Sequence, residues 1–290
     1  MNNLRNLLSN VPVFSHALRW YFHRTSPVYV ISLMKCGRTW LSVMIARALQ
    51  LHFNTSEMDI KNLGRSSKYP GFCGLAFSHD DGPHWKRPEE LEKSKARFRF
   101  KKVIFIVRDP RDVLVSMYFE KSKRLASYLE GERKEYPQLA ERIVPYELGI
   151  SSFVREPVGG IDTIIEFFNI WEKSKDIPDG FLLVHYEEMH ENAEKVLRQV
   201  LDFIGLSAVG DEVIRQAVEF ATFKSMQAME KDNKLNTIKL SPVNLSDPDS
   251  FKTRKGKIGG FVEYLTREEI DYLNSRIKER LSPYFGYRVG

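Results

Sequence analysis

Two short runs of this chain, VYVISL (residues 28–33) and KVIFIV (102–107), stay apolar almost throughout instead of alternating apolar with polar. A strand that reads this way is buried on both faces, and such strands belong to parallel sheets covered by helices. Parallel neighbours cannot be joined by a hairpin, so each strand must be followed by a crossover, usually a helix. The chain supplies one each time. Residues 37 to about 50 carry Trp40, Leu41, Val43, Met44, Ile45 and Leu49, apolar on most sides and therefore a buried helix. After the second run, Arg108 ends the strand and Asp109-Pro110 opens a helix, with aspartate as N-cap and proline at the first helical position. FCGLAFS (72–78) and FLLVHY (181–186) read as further short strands. Ala193, Val196, Leu197, Val200, Leu201 and Ile204 form one helical stripe closed by Gly205 as C-cap. Residues 209–230 read as helical, and a last amphipathic helix covers roughly 266–281. The expected fold is a single α/β domain, a central parallel sheet flanked by helices on both faces.

Composition narrows the setting. The net charge is +6, which suits an anionic ligand, a nucleic acid or a membrane surface without choosing among them. The two cysteines, Cys36 and Cys73, make neither a disulfide framework nor a zinc spacing, so a reduced, cytoplasmic protein is expected. No apolar run approaches the ~18–20 residues of a membrane span. Residues 1–26 read as an N-terminal helical extension ahead of a domain over 27–290. In it Leu4, Leu7, Leu8 and Val11 fall at helical spacing, Pro12 interrupts, and Phe14, Leu18, Tyr21 and Phe22 resume. That extension is either a broken helix packed on the domain or a surface making peripheral contact with membrane or a lipid-like substrate.

Ligands of parallel α/β sheets bind outside the carboxyl ends of the strands. That edge gathers the turn MKCGRTW (34–40), the Arg108 corner and His79 in FSHDDGPHW. In the turn, Lys35, Gly37, Arg38 and Thr39 stand at a helix N-terminus, where backbone N–H groups and the helix dipole favour an anion. It is P-loop-like but not a Walker A loop, since G-x-x-x-x-G-K-[ST] is absent and the lysine precedes the glycine. The plainer alternative is a basic surface turn with a structural glycine. Arg108, with Ser116 two turns into the next helix, is either an anion ligand or a salt-bridge partner of Asp109 or Asp112. TRKGKIGGF (253–261) holds Arg254, Lys255 and Lys257 among glycines that let backbone approach a ligand; it also reads as a solvated tail or a nucleic-acid patch. His79 is a candidate general base or a structural histidine, with His84 its local competitor.

Four of these segments stand in a familiar order. The chain resembles the 3′-phosphoadenosine 5′-phosphosulfate-dependent sulfotransferases of the cytosolic type, over residues of about 27 to 282. MKCGRTW is similar to that family's PKSGTTW loop, IVRDPRDVLVSMYF to its R-x-P-x-D-x-x-x-S-x-Y segment, VHYEEM to its YEDM element and RKGKIGGF to its RKGxxGDW loop. The resemblance implies roles for single positions. Lys35 would contact the donor's bridging oxygen, and Cys36, Gly37, Arg38 and Thr39 would wrap the 5′-phosphate. Trp40, core in the unaided reading, would lie against the adenine, bordered by Thr222 and Phe223. Arg108 and Ser116 would bind the 3′-phosphate, Tyr186 would reach the adenine or 3′-phosphate side, and Arg254, Lys255 and Gly256 would close over it. His79 matches the catalytic base.

The implied activity is transfer of a sulfuryl group from 3′-phosphoadenosine 5′-phosphosulfate to a hydroxyl, or less readily an amine, of a small apolar or amphiphilic molecule. The product nucleotide would be adenosine 3′,5′-bisphosphate, with no metal expected and no nucleic acid as partner. An ATP-dependent phosphotransferase and a non-enzymatic anion or nucleic-acid binder are the alternatives. Departures from the family pattern are marked. Cys36 stands for a serine, Arg38 for a threonine and Gly260-Phe261 for Asp-Trp; Phe77 stands for a lysine two residues before the base, so a second cation near the sulfuryl group is expected to be missing. The family's dimer segment is unmatched around Thr266, which leaves the oligomeric state open. The acceptor's walls are assigned to loops 54–75, 120–158 and 232–252, with Tyr118, Phe119, Tyr128 and Tyr136 in the second and Leu235, Ile238 and Leu240 in the third.

Overall fold

Four short strands build the sheet in the computed structural model of this protein, which describes residues 28–56, 58, 60, 63, 69–232 and 243–287. They are β1 (Val28–Ser32), β2 (Leu75–Ser78), β3 (Lys102–Val107) and β4 (Gly180–His185). All pair in parallel in the order β2-β1-β3-β4, with Val30 opposite Phe77 on one side and Ile104 on the other, and Ile104 opposite Leu182. β1 and β3 are the inner strands, which is why they carry the two continuous apolar runs.

The helices follow from the crossovers. α1 (Arg38–His52) leads from β1 out to β2, while α2 (Pro110–Phe119), α3 (Leu129–Glu135), α4 (Ile150–Phe153) and α5 (Ile161–Lys173) lie between β3 and β4. The two crossovers move in opposite directions across the sheet, so right-handed connections place them on opposite faces. α6 (Tyr186–Glu191), α7 (Ala193–Phe203), α8 (Asp211–Phe220), α9 (Phe223–Lys231) and α10 (Arg267–Arg280) complete the chain. α1 packs with α7 and α8, and α5 packs with α2 and α10. On the α5 side, Phe105 of β3 stacks on Trp171 at 5.5 Å between ring centres and meets Phe168 edge-on at 5.9 Å. Each such fully buried aromatic ring stabilises the fold by roughly 1.5–3 kcal/mol over an exposed one.

The elements depart from the sequence reading in four places. β2 starts at Leu75, not at residue 72, because Gly74 takes φ +86°, outside the extended region. Tyr186 begins α6 instead of ending β4. The 209–230 stretch is two helices, since the Thr222 hydroxyl caps α9 by accepting from the Ser225 N–H at 3.3 Å. Within loop 120–158, Tyr136 packs with Trp85, Leu125, Leu139 and Ile143 in a second small core, with Tyr128 against it, so these aromatics are engaged internally and are not free pocket walls. The N-terminal extension over 1–26 and the three apolar residues Leu235, Ile238 and Leu240 lie outside the described residues. Among those described, no helix is long and apolar enough to cross a membrane.

Candidate active site

Where β1 ends, two residues in left-handed backbone, Lys35 (φ +71°) and Gly37 (φ +92°), turn the chain into α1. A lysine in that conformation is strained by about 1–3 kcal/mol and persists only where its surroundings hold it. Two contacts hold Lys35: its Nζ donates to Glu120 Oε2 at 2.8 Å, and its carbonyl accepts from Arg108 Nη1 at 3.2 Å. Gly37 has a second reason to lack a side chain. A Cβ there would lie 2.5 Å from the ring of Tyr186 and 2.9 Å from Met189 Cε. The turn is thus pressed between α6 and the carboxyl edge of the sheet, with the first N–H groups of α1 turned outward.

His79 follows β2 directly. Its Nδ1 lies 2.7 Å from the carbonyl oxygen of Ser32, which can only accept, so Nδ1 carries the proton and Nε2 keeps its lone pair. Arg38 Nη2 donates to that lone pair at 2.7 Å. Burial, with the charge of Arg38 and the proximity of His84 and Lys252, pushes the His79 imidazole well below its ordinary value; the hydrogen bond to Ser32 opposes this only in part. His79 is therefore neutral around pH 7. His84 is not an equivalent candidate: it is fully buried, it donates from Nε2 to Glu132 Oε1 at 2.9 Å, and it does not line the cavity that His79 faces.

A buried carboxylate, Glu120, organises the cations beside the turn. It receives Lys35 at 2.8 Å, the Tyr128 hydroxyl at 2.8 Å and Arg124 Nε at 3.3 Å, with Lys252 at 3.9 Å. Burial alone would raise the Glu120 carboxyl, but Lys252, Lys35 and Arg124 outweigh it and hold it well below the usual carboxylate range. Burial lowers the Lys35 ammonium and pushes that of Lys252 down to about 8. Lys252 escaped the sequence reading, which began the basic segment one residue later. It supplies a further cation near His79, besides Lys35 and Arg38, where the Phe77 substitution predicts one to be missing. Glu120 also escaped, because nothing local marks a carboxylate that becomes buried among cations remote in sequence.

At the far side of the cavity, Arg108 directly follows β3, with its guanidinium 4.3 Å from the centre of the Tyr186 ring. It donates to the Lys35 carbonyl and, from Nη2, to the Lys257 carbonyl at 2.9 Å. Its carboxylate neighbour is Asp112 at 3.6 Å; Asp109 pairs with Arg111 instead, at 2.7 Å. Asp112 in turn accepts from the N–H groups of Gly259 (2.8 Å) and Phe261 (3.1 Å), which fastens the glycine-rich loop to α2. In that loop Gly256 has φ +58° and fits closely under Phe223, whose ring a Cβ would meet at 2.4 Å. Arg254 lies over Phe119 and donates to Asp249 and to the Tyr264 hydroxyl, while Lys255 and Lys257 pair with Glu263.

One cavity unites these groups. Lys35, Gly37, Arg38, Thr39, Trp40 and His79 line it with Arg108, Ser116 and Tyr186, and Phe223, Arg254, Lys255 and Gly256 close it. Two expected residues do not reach it with their side chains. Cys36 is fully buried in the core, its thiol pushed up to about 12 by burial, and Thr222 is spent as the cap of α9. Trp40 satisfies both readings, since it lines the cavity while packing on Tyr186 and His190. Among the described residues, Lys35, Arg38, Arg108, Lys252, Arg254, Lys255 and Lys257 face a single lining carboxylate, Asp112. Three of the lining N–H groups, Arg38 Nη1, Trp40 Nε1 and Arg108 Nε, are buried without a partner among the described residues. Buried donors without acceptors are costly, so the cavity suits a ligand that is polyanionic and rich in acceptor oxygens.

Comparison with known proteins agrees with that chemistry. A family model described as the sulfotransferase domain matches residues 25–285. Cytosolic sulfotransferase 17 of Arabidopsis thaliana is 23% identical over 285 residues, covering 91% of this chain and 77% of that protein. The 3-beta-hydroxysteroid sulfotransferase of Cavia porcellus is 24% identical over 200 residues, covering 68% and 60%. Among solved structures, mouse sulfotransferase SULT7A1 complexed with PAP superposes with a TM-score of 0.59 at 20% identity, covering 94% of this chain and 91% of that one. Retinol dehydratase in complex with androsterone and inactive cofactor PAP follows at 0.57 and 15%, covering 88% and 80%.

Proposed function

The chain belongs to the sulfotransferase family, and from that premise we propose that it moves a sulfuryl group from 3′-phosphoadenosine 5′-phosphosulfate to the hydroxyl of a small apolar or amphiphilic molecule. The observation that carries this reading is the single cavity in which the anion turn, the Arg108–Ser116 corner, the 254–256 loop and a neutral His79 meet. The donor supplies an activated sulfuryl group, and the chain's residues do the rest. The turn and Lys35 hold the 5′ side, and Arg108, Ser116, Arg254 and Lys255 the 3′-phosphate. Trp40, Tyr186 and Phe223 offer ring faces to the base.

His79 Nε2 accepts the acceptor's hydroxyl proton while the oxygen forms a bond to sulfur and the bond from sulfur to the bridging oxygen breaks. The departing electron pair stays on that oxygen, where Lys35 and the turn's N–H groups stabilise it. Lys252 adds positive charge on the same side. The Ser32 carbonyl keeps His79 in the tautomer this step needs. An alcohol acceptor is in keeping with the relatives, among them a hydroxysteroid sulfotransferase and a flavonol 3-sulfotransferase.

Thermal unfolding with adenosine 3′,5′-bisphosphate, 5′-AMP or Mg·ATP at equal concentration tests the donor site. A ligand at 100 times its Kd adds about 2.7 kcal/mol. A shift with the bisphosphate well above that with 5′-AMP supports the reading, and a shift with Mg·ATP alone, or none, removes it. With labelled donor, transfer to a panel of alcohols, phenols and amines then assigns the acceptor.

A further inference from the structure

We propose that Arg38 couples occupancy of the anion turn to the availability of the base: its guanidinium holds the Nε2 lone pair of His79 until a bound oxyanion draws it away. This rests on the donor site proposed above. Nδ1 of His79 is committed to Ser32, so Nε2 is the ring's one acceptor. With Arg38 Nη2 donating to it at 2.7 Å, no substrate hydroxyl can deliver a proton there. Arg38 is also the first residue of α1, immediately after Gly37, and it lines the donor cavity. One side chain therefore stands between the base and the phosphate turn.

The competition between them has a clear direction. The contact to His79 is one hydrogen bond to a neutral nitrogen, and Arg38 Nη1 is left buried without a partner. An oxyanion at the turn offers charge-assisted and bidentate bonding, about twice as strong per bond as a neutral one. It would also satisfy Nη1. Among the described residues no carboxylate pairs with Arg38: of those that attract it, Glu132 is engaged by His84 and Trp85, and Glu135 by the Tyr136 hydroxyl. His79 itself is faced by Arg38 from α1, by Lys252, and by His84 at 5.3 Å between ring centres. Of these, only Arg38 bonds to Nε2. Once the guanidinium moves to the anion, Nε2 is exposed beside it. A proton acceptor thus becomes competent where the sulfuryl group sits.

The test is titration of the His79 imidazole by NMR on histidine-labelled full-length protein, native and Arg38→Gln, with and without saturating adenosine 3′,5′-bisphosphate. A charge within a few ångströms shifts a pKa by about 1–3 pH units. The expected result is a ligand-free pKa higher by about 1 unit or more in the variant, and a bisphosphate-induced rise larger in the native protein than in the variant. An anion acting on His79 directly would raise both proteins equally, which separates release of Arg38 from simple proximity of charge. Should Arg38→Gln not fold, Arg38→Met, which keeps an unbranched stem but removes the charge and the donors, takes its place. Equal ligand-free pKa values, or equal rises on binding, overturn the inference and leave the function standing. Failure of the native protein to bind the bisphosphate overturns the function, and the inference with it.

Discussion

His79 is a buried imidazole that the fold keeps neutral, and the sign of its shift has two consequences. Burial, with Arg38, holds its proton affinity in the fold below that of the unfolded chain, 6.5. The stability it contributes is therefore complete above about pH 6.5 and is lost as pH falls from there toward the folded value, because the unfolded state binds the proton first. His84 is shifted the same way, again chiefly by burial. Thermal unfolding between pH 7.5 and 5 should show a falling Tm on acidification, with a smaller slope in His79→Gln. The acidic limb of kcat/KM, which reports the free enzyme, should lie below the ordinary imidazole range. His79→Ala should lose ~10²–10⁴-fold in kcat, the usual contribution of a general base, while bisphosphate affinity stays within a few-fold of native. Activity within tenfold of native would remove the assignment. Glu120 is the opposite kind of residue, a buried charge that holds others. Glu120→Gln leaves Lys35 uncompensated next to Arg124 and Lys252, and breaking such a buried pair costs about 3–5 kcal/mol. Urea unfolding should show a loss of that size; a loss below 1 kcal/mol would mean the cations find other partners.

Between elements, the link that matters most is the one from α2 to the glycine-rich loop. Asp112 receives two backbone N–H groups from residues 259 and 261, and it is the one carboxylate that pairs with Arg108 among the described residues. Asp112→Ala frees both N–H groups and loosens the loop that carries Arg254 and Lys255. Hydrogen bonds to charged groups contribute ~1.5–3 kcal/mol each, so bisphosphate affinity should fall by about tenfold or more, while 5′-AMP affinity changes little. Calorimetry on both nucleotides checks this, and an equal loss for both would place the defect elsewhere. The elements themselves were largely legible. Continuous apolar runs announced β1 and β3, and Asp109-Pro110 announced α2, because these signals are local. Less was legible where local and tertiary preferences met, as at Gly74, which shortens β2, or Thr222, which divides one apparent helix into two. The site's cations were half legible. Lys35, Arg38 and Arg108 sit in motifs at strand ends, but Lys252 and Glu120 acquire their roles only through a cluster spanning Lys35, Arg124 and Glu230, which no local spacing reveals.

Across the whole molecule, the cavity is a meeting point of segments remote in sequence. Arg108 alone bridges the Lys35 carbonyl, 73 residues before it, and the Lys257 carbonyl, 149 residues after it. A nucleotide bound there would tie the first strand's turn to the loop before α10, so binding should stabilise two separated stretches of backbone at once. Hydrogen exchange followed by mass spectrometry reads this directly. With adenosine 3′,5′-bisphosphate, amides of residues 35–40 and of 253–260 should both slow, whereas 5′-AMP should slow the first stretch alone, since it lacks the phosphate that the second would bind. Arg108→Ala should abolish the extra protection of 253–260 and leave that of 35–40 close to the 5′-AMP level. The variant also loses two backbone contacts of its own, so its ligand-free exchange is the reference for each comparison. Protection of the two stretches by both nucleotides alike would mean that the loop closes on the 5′ side. Arg108, Arg254 and Lys255 would then hold the fold together without reading a 3′-phosphate. If the loop responds only to the bisphosphate, and only while Arg108 is present, the two ends of the cavity recognise the two ends of one ligand. The helices that follow β4 then have a chemical purpose, to bring a C-terminal loop over the anion turn at the end of β1.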